Sequence, residues 1–420
     1  MRNILSERGG KRNAELVSSS RHLDHNLGNS VETYDSSLND PPSVPNPYIR
    51  MIQLSNMTHS LDDTVAISRV DRGDMLGAVA RFPDYLSETG RFLGIVRAGR
   101  ERSYDNIALA GMGGSASAGD FLQDWLGERI LTELAIFRQP KLPRSVGKGT
   151  LLIAFSYSGN TWETLEAFHM ARRRGSSLVA VSSGGKLEKL CEKWDVPLLR
   201  LDTGLAPRAA LTQMIRAGTV ALQESGATSG SIEELARTGD ELRQLRKRIG
   251  TDVSSSKNKA KLFASKLLGK VPAVYSLYRM ASVARRFKNQ LAENSKVLAI
   301  LGLLPEACHN ELEASGKTAN STRLVLIRDT VENREEQALL DTFRRVTREQ
   351  GAHGSLEVKI RGQSELGRLL APALFLDYAS VYLAILRGTD PSPTPWIASY
   401  KARYASVIAS DRGSPTNQRP

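Results

Sequence analysis

The sequence predicts an α/β fold made of two units, each a parallel β-sheet flanked by helices. The first reason is length, because 420 residues exceed the ~100–200 residues of one domain. The second is order, because short apolar runs alternate with helical patterns along most of the chain, which is typical of βαβ units. The third is a break of small and polar residues at 226–230, after which the alternation resumes. We therefore expect two successive α/β units.

The first unit is predicted over residues 57–225, after a polar segment. Residues 1–56 are rich in serine and asparagine and contain a proline cluster, so a flexible N-terminal extension is expected there. A helical pattern at 61–93 leads into the sheet. Strands are predicted at residues 106–113, 151–155, 177–182 and 197–201, followed by helices that begin near residues 116, 162, 186 and 207.

The second unit is predicted over residues 256–409. A charged helix at 231–248 precedes it, and we assign residues 226–255 to a linker helix region. Residues 410–420 are expected to form a flexible tail. The elements of the second unit are strands at 273–277, 324–327 and 356–360, helices at 279–293 and 334–350, and closing helices at 366–386 and 397–408.

Composition argues against several classes of protein. Apolar residues make up 40% of the chain, and without a run of about 18 consecutive apolar positions a soluble protein is expected. No apolar segment follows the charged start as a secretion signal would, so a cytoplasmic location is expected. Cys191 and Cys308 cannot form a disulfide framework and lack metal spacing, while His22 and His25 lie in the polar extension without acidic or cysteine partners. We expect no structural metal.

The net charge of +12 suits an anionic partner, which a phosphosugar, a nucleic acid or a membrane surface would each provide. The basic runs at residues 243–248 and 285–288 lie in helical patterns without interleaved aromatic residues. That pattern favours solvated helix faces over nucleic-acid contact. We expect a small anionic substrate, with neither nucleic acid nor a membrane as partner.

A hydroxyl-rich turn at the end of the 151–155 strand carries the first functional signal. Ser156, Ser158 and Thr161 lie between this strand and the helix that begins at Trp162. A helix start presents unpaired N–H groups and the positive end of the helix dipole, which together favour a phosphate. The alternative is an ordinary capped turn, since serine and threonine often cap helices.

A second turn strengthens the phosphate interpretation. The strand that begins at Asn106 runs into Gly113, Gly114 and Ser115 before the next helix. Ligands of open parallel sheets bind at the carboxyl ends of the strands, where both turns lie. The two turns can therefore face one phosphate group.

Three other motifs are weaker. Residues 111–116 fit the dinucleotide pattern G-x-G-x-x-A, which requires an acidic residue about 20 positions further on, at the end of a second strand between residues 116 and 151. That strand end carries Arg138 and Gln139 instead, and the nearest acid, Glu133, precedes it. Residues 314–318 end like a Walker A loop, yet the required first glycine is Glu311. Ser158 follows Ser156 rather than glycine at the G-x-S-x-G position, so it is interpreted as a donor and not as a nucleophile.

Together these motifs and several later ones resemble a known family of enzymes. The shared sequences are GMGGS at 111–115, SYSGNTWETL at 156–165, VAVSSGG at 179–185, Pro207-Arg208, AENSK at 292–296, PEACHNE at 305–311, and Thr394 with Lys401. The first motifs resemble a sugar isomerase (SIS) domain. The later ones resemble the bifunctional phosphoglucose/phosphomannose isomerases, and the resemblance covers about residues 61–409. It implies two SIS-type domains.

The resemblance implies an aldose–ketose isomerase that interconverts glucose 6-phosphate or mannose 6-phosphate with fructose 6-phosphate through an enediolate, without a cofactor or metal. It implies a homodimer in which His309 is lent by the neighbouring subunit. The implied catalytic roles are Glu293 as proton-transfer base, Arg208 as enediolate stabiliser, and His309 with Lys401 in ring opening. The implied substrate-binding residues are Gly114, Ser115, Ser156, Ser158, Thr161 and Thr394.

Without the resemblance these residues have plainer interpretations. Glu293 would be a surface charge or an ion partner of Lys296, and His309 a packed histidine. One departure concerns Arg208, because the family's Pro-Arg element continues with an aromatic residue and a proline that this chain lacks. The rival function is a non-catalytic SIS module that senses phosphosugars, although residues 1–56 show no helix-turn-helix pattern.

Overall fold

The computed structural model describes residues 61–87, 103–352 and 354–413, with side chains up to residue 404 and at 406 and 407. All of them belong to a compact unit that spans Pro47–Pro420. The predicted extension at residues 1–56, with His22 and His25, lies outside the described residues, as do residues 414–420 of the predicted tail.

The first sheet has five parallel strands in the order β2-β1-β3-β4-β5. Its two central strands, β1 and β3, are apolar and almost wholly buried because helices cover both faces. The strands are β1 Asn106–Gly111, β2 Glu133–Phe137, β3 Thr150–Phe155, β4 Ser177–Ser182 and β5 Leu198–Arg200. This order places the carboxyl ends of β1 and β3 side by side.

The second sheet has four parallel strands in the order β7-β6-β8-β9. They are β6 Val271–Leu277, β7 Ile300–Leu304, β8 Thr322–Arg328 and β9 Leu356–Lys359. Two parallel sheets flanked by helices confirm the predicted α/β class. Strand β7 was not predicted, because it is a short apolar run interrupted by Gly302, and it lies at the sheet edge with Ile300 40% exposed.

Thirteen α-helices lie in the described ranges of the chain. They are α1 Thr64–Val70, α2 Met75–Ala80, α3 Gly113–Leu126, α4 Trp162–Arg173, α5 Gly185–Trp194, α6 Leu211–Glu224, α7 Ser231–Ile249, α8 Lys259–Leu267, α9 Ala281–Gln290, α10 Leu312–Thr318, α11 Arg334–Glu349, α12 Glu365–Leu386 and α13 Pro395–Gly413. The last helix runs beyond its predicted end at residue 408.

Helix α8 was not predicted, because a lysine stands on its buried face. Lys261 is wholly buried, and its ammonium donates to the carbonyl oxygens of Leu61 and Thr251 at 2.6 and 2.9 Å and to Asp62 Oδ1 at 3.0 Å. A charge in that position hides the apolar stripe by which a sequence pattern indicates a helix.

Helix α12 is the central helix of the core. It contacts α7, α8 and α9, and every residue from Leu369 to its end at Leu386 is buried. By length and composition it would pass for a membrane span, but the apolar window is entirely buried inside the protein. Its polar residues Asp377 and Ser380 are buried as well and face the loop that carries Glu293.

Candidate active site

The two hydroxyl turns predicted from the sequence lie next to each other. The backbone N–H of Tyr157 donates to Ser115 Oγ at 3.1 Å, which joins the turn after β3 to the turn after β1. Within the first of these turns, Ser156 Oγ donates to Thr161 Oγ1 at 3.2 Å. Gly159 has a φ of 65°, and a Cβ there would lie 1.7 Å from a backbone oxygen of Gly184, so only glycine fits this bend.

The helices behind these turns begin without a side-chain cap. Within the described part of the chain, the N-cap residues Met112 of α3 and Thr161 of α4 make no side-chain capping hydrogen bond. The ordinary capped-turn interpretation is therefore weakened for Thr161. Uncapped N–H groups at two neighbouring helix starts are suited to bind a phosphate.

Tyr157 connects these two hydroxyl turns to Arg208. Its hydroxyl donates to the carbonyl oxygen of Asp202 at 2.8 Å and accepts from the N–H of Leu205 at 2.9 Å, which fixes the loop before Pro207. A Cβ on Gly114 would lie 3.1 Å from the backbone nitrogen of Arg208. The absence of a side chain at Gly114 thus lets the start of α3 approach Arg208.

Arg208 is the most enclosed charge of the site, with a side chain only 4% exposed. It lies on the 3₁₀ turn Pro207–Ala209. Burial lowers the pKa of its guanidinium from the usual value. Its donors bind Asn294 Oδ1 at 2.7 Å, Glu293 Oε2 at 3.4 Å, and the carbonyl oxygens of Pro391 and Ser392 at 2.7 and 3.0 Å.

Glu293 lies where helix α9 changes its winding. The chain continues from α9 into a π-helical turn, Leu291–Ser295, and ends it at Lys296 with a φ of 55°. Such π turns are frequent at functional sites. The carboxylate of Glu293 is 26% exposed and contacts Arg208, so it faces solvent on one side and the buried guanidinium on the other.

Lys296 adds a second positive group. Its ammonium donates to the carbonyl oxygens of Glu293 and, at 3.3 Å, of Pro391. Burial and the neighbouring Arg208 charge lower the pKa of Lys296. Arg208 and Lys296 therefore hold the same carbonyl and fix the loop that leads to Thr394.

Thr394 and Lys401 follow in that loop and in α13. Thr394 is half-buried, and its carbonyl oxygen accepts from the N–H of Ala398 at 3.1 Å. Lys401 is exposed, one turn before Tyr404, whose ring meets Trp162 edge-to-face with centroids 5.7 Å apart. Helix α13 therefore lies against the start of α4, beside the hydroxyl turn that follows β3.

His309 is the remaining residue for which a catalytic role was expected. It ends the 3₁₀ helix Glu306–His309 after β7 and is exposed. Two residues later, Glu311 Oε2 accepts a hydrogen bond from Tyr275 at 2.6 Å, which anchors the segment to β6. In the part of the chain that the structure describes, no hydrogen bond joins His309 to Glu293 or Arg208.

The structure adds partners that the sequence did not single out. Asn294 was part of the AENSK motif but was given no role of its own, and backbone carbonyl groups such as those of Pro391 and Ser392 cannot be recognised from residue type. Among the residues described, no group of three or more His, Cys, Asp or Glu side chains is placed to hold a metal ion.

Comparisons with known proteins agree with the family that the sequence motifs resemble. The family model described as the bacterial phospho-glucose isomerase C-terminal SIS domain matches residues 256–404. A bifunctional phosphoglucose/phosphomannose isomerase of Caldicellulosiruptor bescii is 31% identical over 307 residues, which are 72% of this chain and 90% of that protein. The chain belongs to the bifunctional phosphoglucose/phosphomannose isomerase family. The family expected from the sequence motifs is therefore confirmed, and with it the expectation of an isomerase.

Other relatives agree. The protein of the same name from Aquifex aeolicus is 32% identical over 306 residues, which are 71% of this chain and 90% of the relative. A crystal structure of a glucose-6-phosphate isomerase like protein from Thermus thermophilus superposes with a TM-score of 0.53 at 19% identity, covering 79% of this chain and 94% of the other. That likeness confirms the SIS-type fold.

Proposed function

We propose that the protein interconverts fructose 6-phosphate with glucose 6-phosphate, mannose 6-phosphate or both, through an enediolate. The observation that carries this proposal is the pairing of a buried guanidinium with a partly exposed carboxylate, Arg208 and Glu293, beside two hydroxyl turns. Aldose–ketose isomerisation needs these parts: a base, a positive group for the oxyanion, and a fixed phosphate anchor.

The phosphate anchor would comprise Ser115, Ser156, Ser158 and Thr161, with the start of α3 at Gly114. Ser158 is exposed, and Ser156 and Thr161 are within hydrogen-bond distance of each other. Neutral hydroxyls and helix-start N–H groups bind a phosphate without a counter-charge. Binding the phosphate, which does not react, leaves the sugar carbons to reach Glu293.

Glu293 would move the proton. From an aldose it removes the C2 proton, which makes the aldehyde oxygen the enediolate oxyanion, and returns that proton to C1. The proton of the C2 hydroxyl passes to the former aldehyde oxygen, so C1 carries the hydroxyl of the ketose and C2 becomes its carbonyl. In reverse it removes a C1 proton and returns it to C2. The Arg208 guanidinium lies 3.4 Å from Glu293 Oε2 and supplies the positive charge that opposes the negative charge of the oxyanion.

Both aldoses can share this base, because glucose and mannose phosphates differ only at C2. The common enediolate must then present either face to Glu293. The hydroxyl side chain of Thr394, on the loop held by Arg208 and Lys296, would leave room for that rotation.

Ring opening would use His309 and Lys401 as acid and base. We infer that His309 comes from the neighbouring subunit of a homodimer. This is supported by the exposure of His309 and by the absence, among the described residues, of a hydrogen bond between His309 and Glu293. A cytoplasmic location, with neither nucleic acid nor a membrane as partner, completes the proposal.

The reaction is tested with purified protein and fructose 6-phosphate, with both aldose 6-phosphates quantified over time. We expect at least one of them to form and the reverse reaction to reach the same equilibrium. Binding of fructose 6-phosphate without turnover would favour the phosphosugar-sensing module instead.

The shared site is tested by mixing two inactive variants, Glu293→Gln and His309→Ala. In a mixed dimer one site receives both intact residues, so part of the activity should return. Verified mixed dimers that remain inactive would contradict the lending of His309.

A further inference from the structure

Helix α12 faces the candidate site with a row of buried polar groups. Asp377 Oδ2 accepts from Arg286 Nη2 at 2.5 Å, and Asp377 Oδ1 accepts from Gln290 at 3.0 Å. The same Nη2 of Arg286 donates to the backbone carbonyl oxygen of Arg208 at 3.0 Å. The buried ion pair of Arg286 and Asp377, whose side chains are 4% and 1% exposed, therefore supports the backbone of Arg208.

Ser380, one turn further along α12, holds the other side of the site. Its hydroxyl donates to the carbonyl oxygen of Asp377 at 2.7 Å and accepts from Asn294 Nδ2 at 2.9 Å. Asn294 Oδ1 in turn accepts from Arg208 Nε at 2.7 Å. The carbonyl oxygen of Ser380 also accepts from Ser295 Oγ at 2.6 Å, so α12 binds both residues that follow Glu293.

This arrangement determines how the Asn294 amide is oriented. The Ser380 hydroxyl gives its one proton to Asp377, so it can only accept from Asn294 and must face the NH₂ group. The amide oxygen is then directed to the guanidinium, which can only donate. Ser380 thereby fixes the relative position of Arg208 and of the π turn that carries Glu293.

We propose that Ser380 is a positioning residue for the isomerisation, acting through Asn294 to hold Arg208 and Glu293 at their working separation. The proposal rests on the proposed function. Ser380 is wholly buried, and its hydroxyl donates to the carbonyl oxygen of Asp377 and accepts from Asn294, so its effect is on the geometry of the reacting groups and not on substrate binding. A base or an oxyanion donor that is misplaced by ~1 Å loses about 100-fold in rate, so partial loosening should lower kcat measurably.

The chain offers a matched control. Ser225 is also buried, at the end of α6, and its hydroxyl donates to the carbonyl oxygen three residues earlier, that of Leu222, at 2.9 Å. Ser380 makes the same kind of bond to Asp377. Replacing either serine by alanine removes a buried hydroxyl and one backbone contact, but only Ser380→Ala releases Asn294.

The experiment compares kcat and KM for fructose 6-phosphate in the full-length wild type, Ser380→Ala and Ser225→Ala, each corrected for the folded fraction measured by circular dichroism. We expect kcat of Ser380→Ala to fall by about tenfold or more with KM within about twofold of wild type, because the binding of the phosphate is untouched. Ser225→Ala should keep both constants.

Equal kcat values in the two serine variants, or a rise of KM in Ser380→Ala that accounts for its lost efficiency, would overturn the positioning role. If Ser380→Ala does not fold, Ser380→Cys decides in its place, since the thiol fills the site but bonds only weakly, and the same two outcomes apply. An inactive wild type would refute the proposed function and this inference with it, whereas an active wild type with an unchanged Ser380 variant would refute the inference alone.

Discussion

Replacing Arg208 by lysine separates the charge of this side chain from its geometry. The guanidinium donates to four acceptors: Asn294 Oδ1, Glu293 Oε2 and the carbonyl oxygens of Pro391 and Ser392. A guanidinium has five N–H groups, so this arrangement leaves about one, on Nη1, for the substrate oxyanion. A lysine ammonium offers about three N–H groups from a single atom.

The expected magnitude follows from that difference. With three donors for four acceptors, at least one acceptor loses its hydrogen bond in Arg208→Lys. A buried acceptor left unpaired costs about 1–3 kcal/mol, so the free energy of unfolding in urea should fall by at least that amount. Since no donor remains for the oxyanion, kcat should fall by about 10²–10³-fold, the usual effect of losing one oxyanion donor.

The pH dependence of the variant gives a second readout. Burial lowers the pKa of the Arg208 guanidinium, and it would lower that of an ammonium in the same place, whose starting value is only about 10.4. In the proposed mechanism the charged form is the one that opposes the oxyanion. Residual activity of Arg208→Lys should therefore decline with rising pH earlier than wild-type activity does.

The control is Arg200→Lys, because Arg200 is 43% exposed and pairs only with Glu188 at 3.0 Å among the ion pairs described. Its effect on stability should stay within about 0.5 kcal/mol. If Arg208→Lys keeps the kcat and the unfolding free energy of the wild type, the fixed multidentate geometry of Arg208 has no part in catalysis.

Three further predictions concern the phosphate turn, substrate range and stability. Ser158→Ala and Thr161→Ala should each raise KM with little change in kcat, because the phosphate does not react and each lost hydrogen bond to it costs about 1.5–3 kcal/mol of binding. Steady-state kinetics check this, and a collapse of kcat at constant KM would contradict it. Thr394→Gln should reduce kcat/KM for mannose 6-phosphate more than for glucose 6-phosphate, and an unchanged ratio would rule out the steric role. Burial raises the pKa of Asp124 from 3.8 to about 6, so its carboxyl destabilises the folded state progressively as pH rises from 4 to 6. Asp124→Asn keeps an acceptor for the N–H of Ser282 and should be more stable than wild type above about pH 6, by up to about 3 kcal/mol at about 1.4 kcal/mol per pH unit. Near pH 4 the two proteins should be equally stable. A stability difference that does not change with pH in urea unfolding would contradict this.

The parts of the fold that sequence could predict are those set by local pattern. Strand β4 has the predicted bounds, 177–182, and helices α7 and α11 differ from prediction by about one residue, since apolar periodicity and the Asn333–Glu336 capping box mark them. Strand β7 and helices α8 and α10 were missed; a glycine interrupts the pattern of β7, and a buried lysine interrupts that of α8.

The pattern of apolar residues could not predict how the chain winds around Glu293. Residues 279–293 were predicted as one helix, but the structure has a 3₁₀ turn, helix α9 and the π turn in succession. These forms differ in which backbone groups pair, and apolar spacing over a few residues hardly distinguishes them.

The candidate site was predicted in its residue types and not in its contacts. Hydroxyl turns at adjacent strand ends could be expected to meet, and Ser115 does accept from Tyr157. The bonds from Arg208 to Asn294 and to the carbonyl of Pro391 span 86 and 183 residues, so only tertiary packing creates them. A backbone carbonyl carries no residue identity that a motif could report.

The central claim is that one carboxylate, Glu293, moves the proton for every aldose that the protein accepts. It is tested most directly by measuring kcat/KM of the wild type and Glu293→Gln with glucose 6-phosphate and with mannose 6-phosphate. Glutamine keeps the shape of the side chain and removes the base, so we predict that each activity present in the wild type falls by about 10²–10⁴-fold, by the same factor for both substrates. A variant that retains turnover of either substrate would contradict the claim.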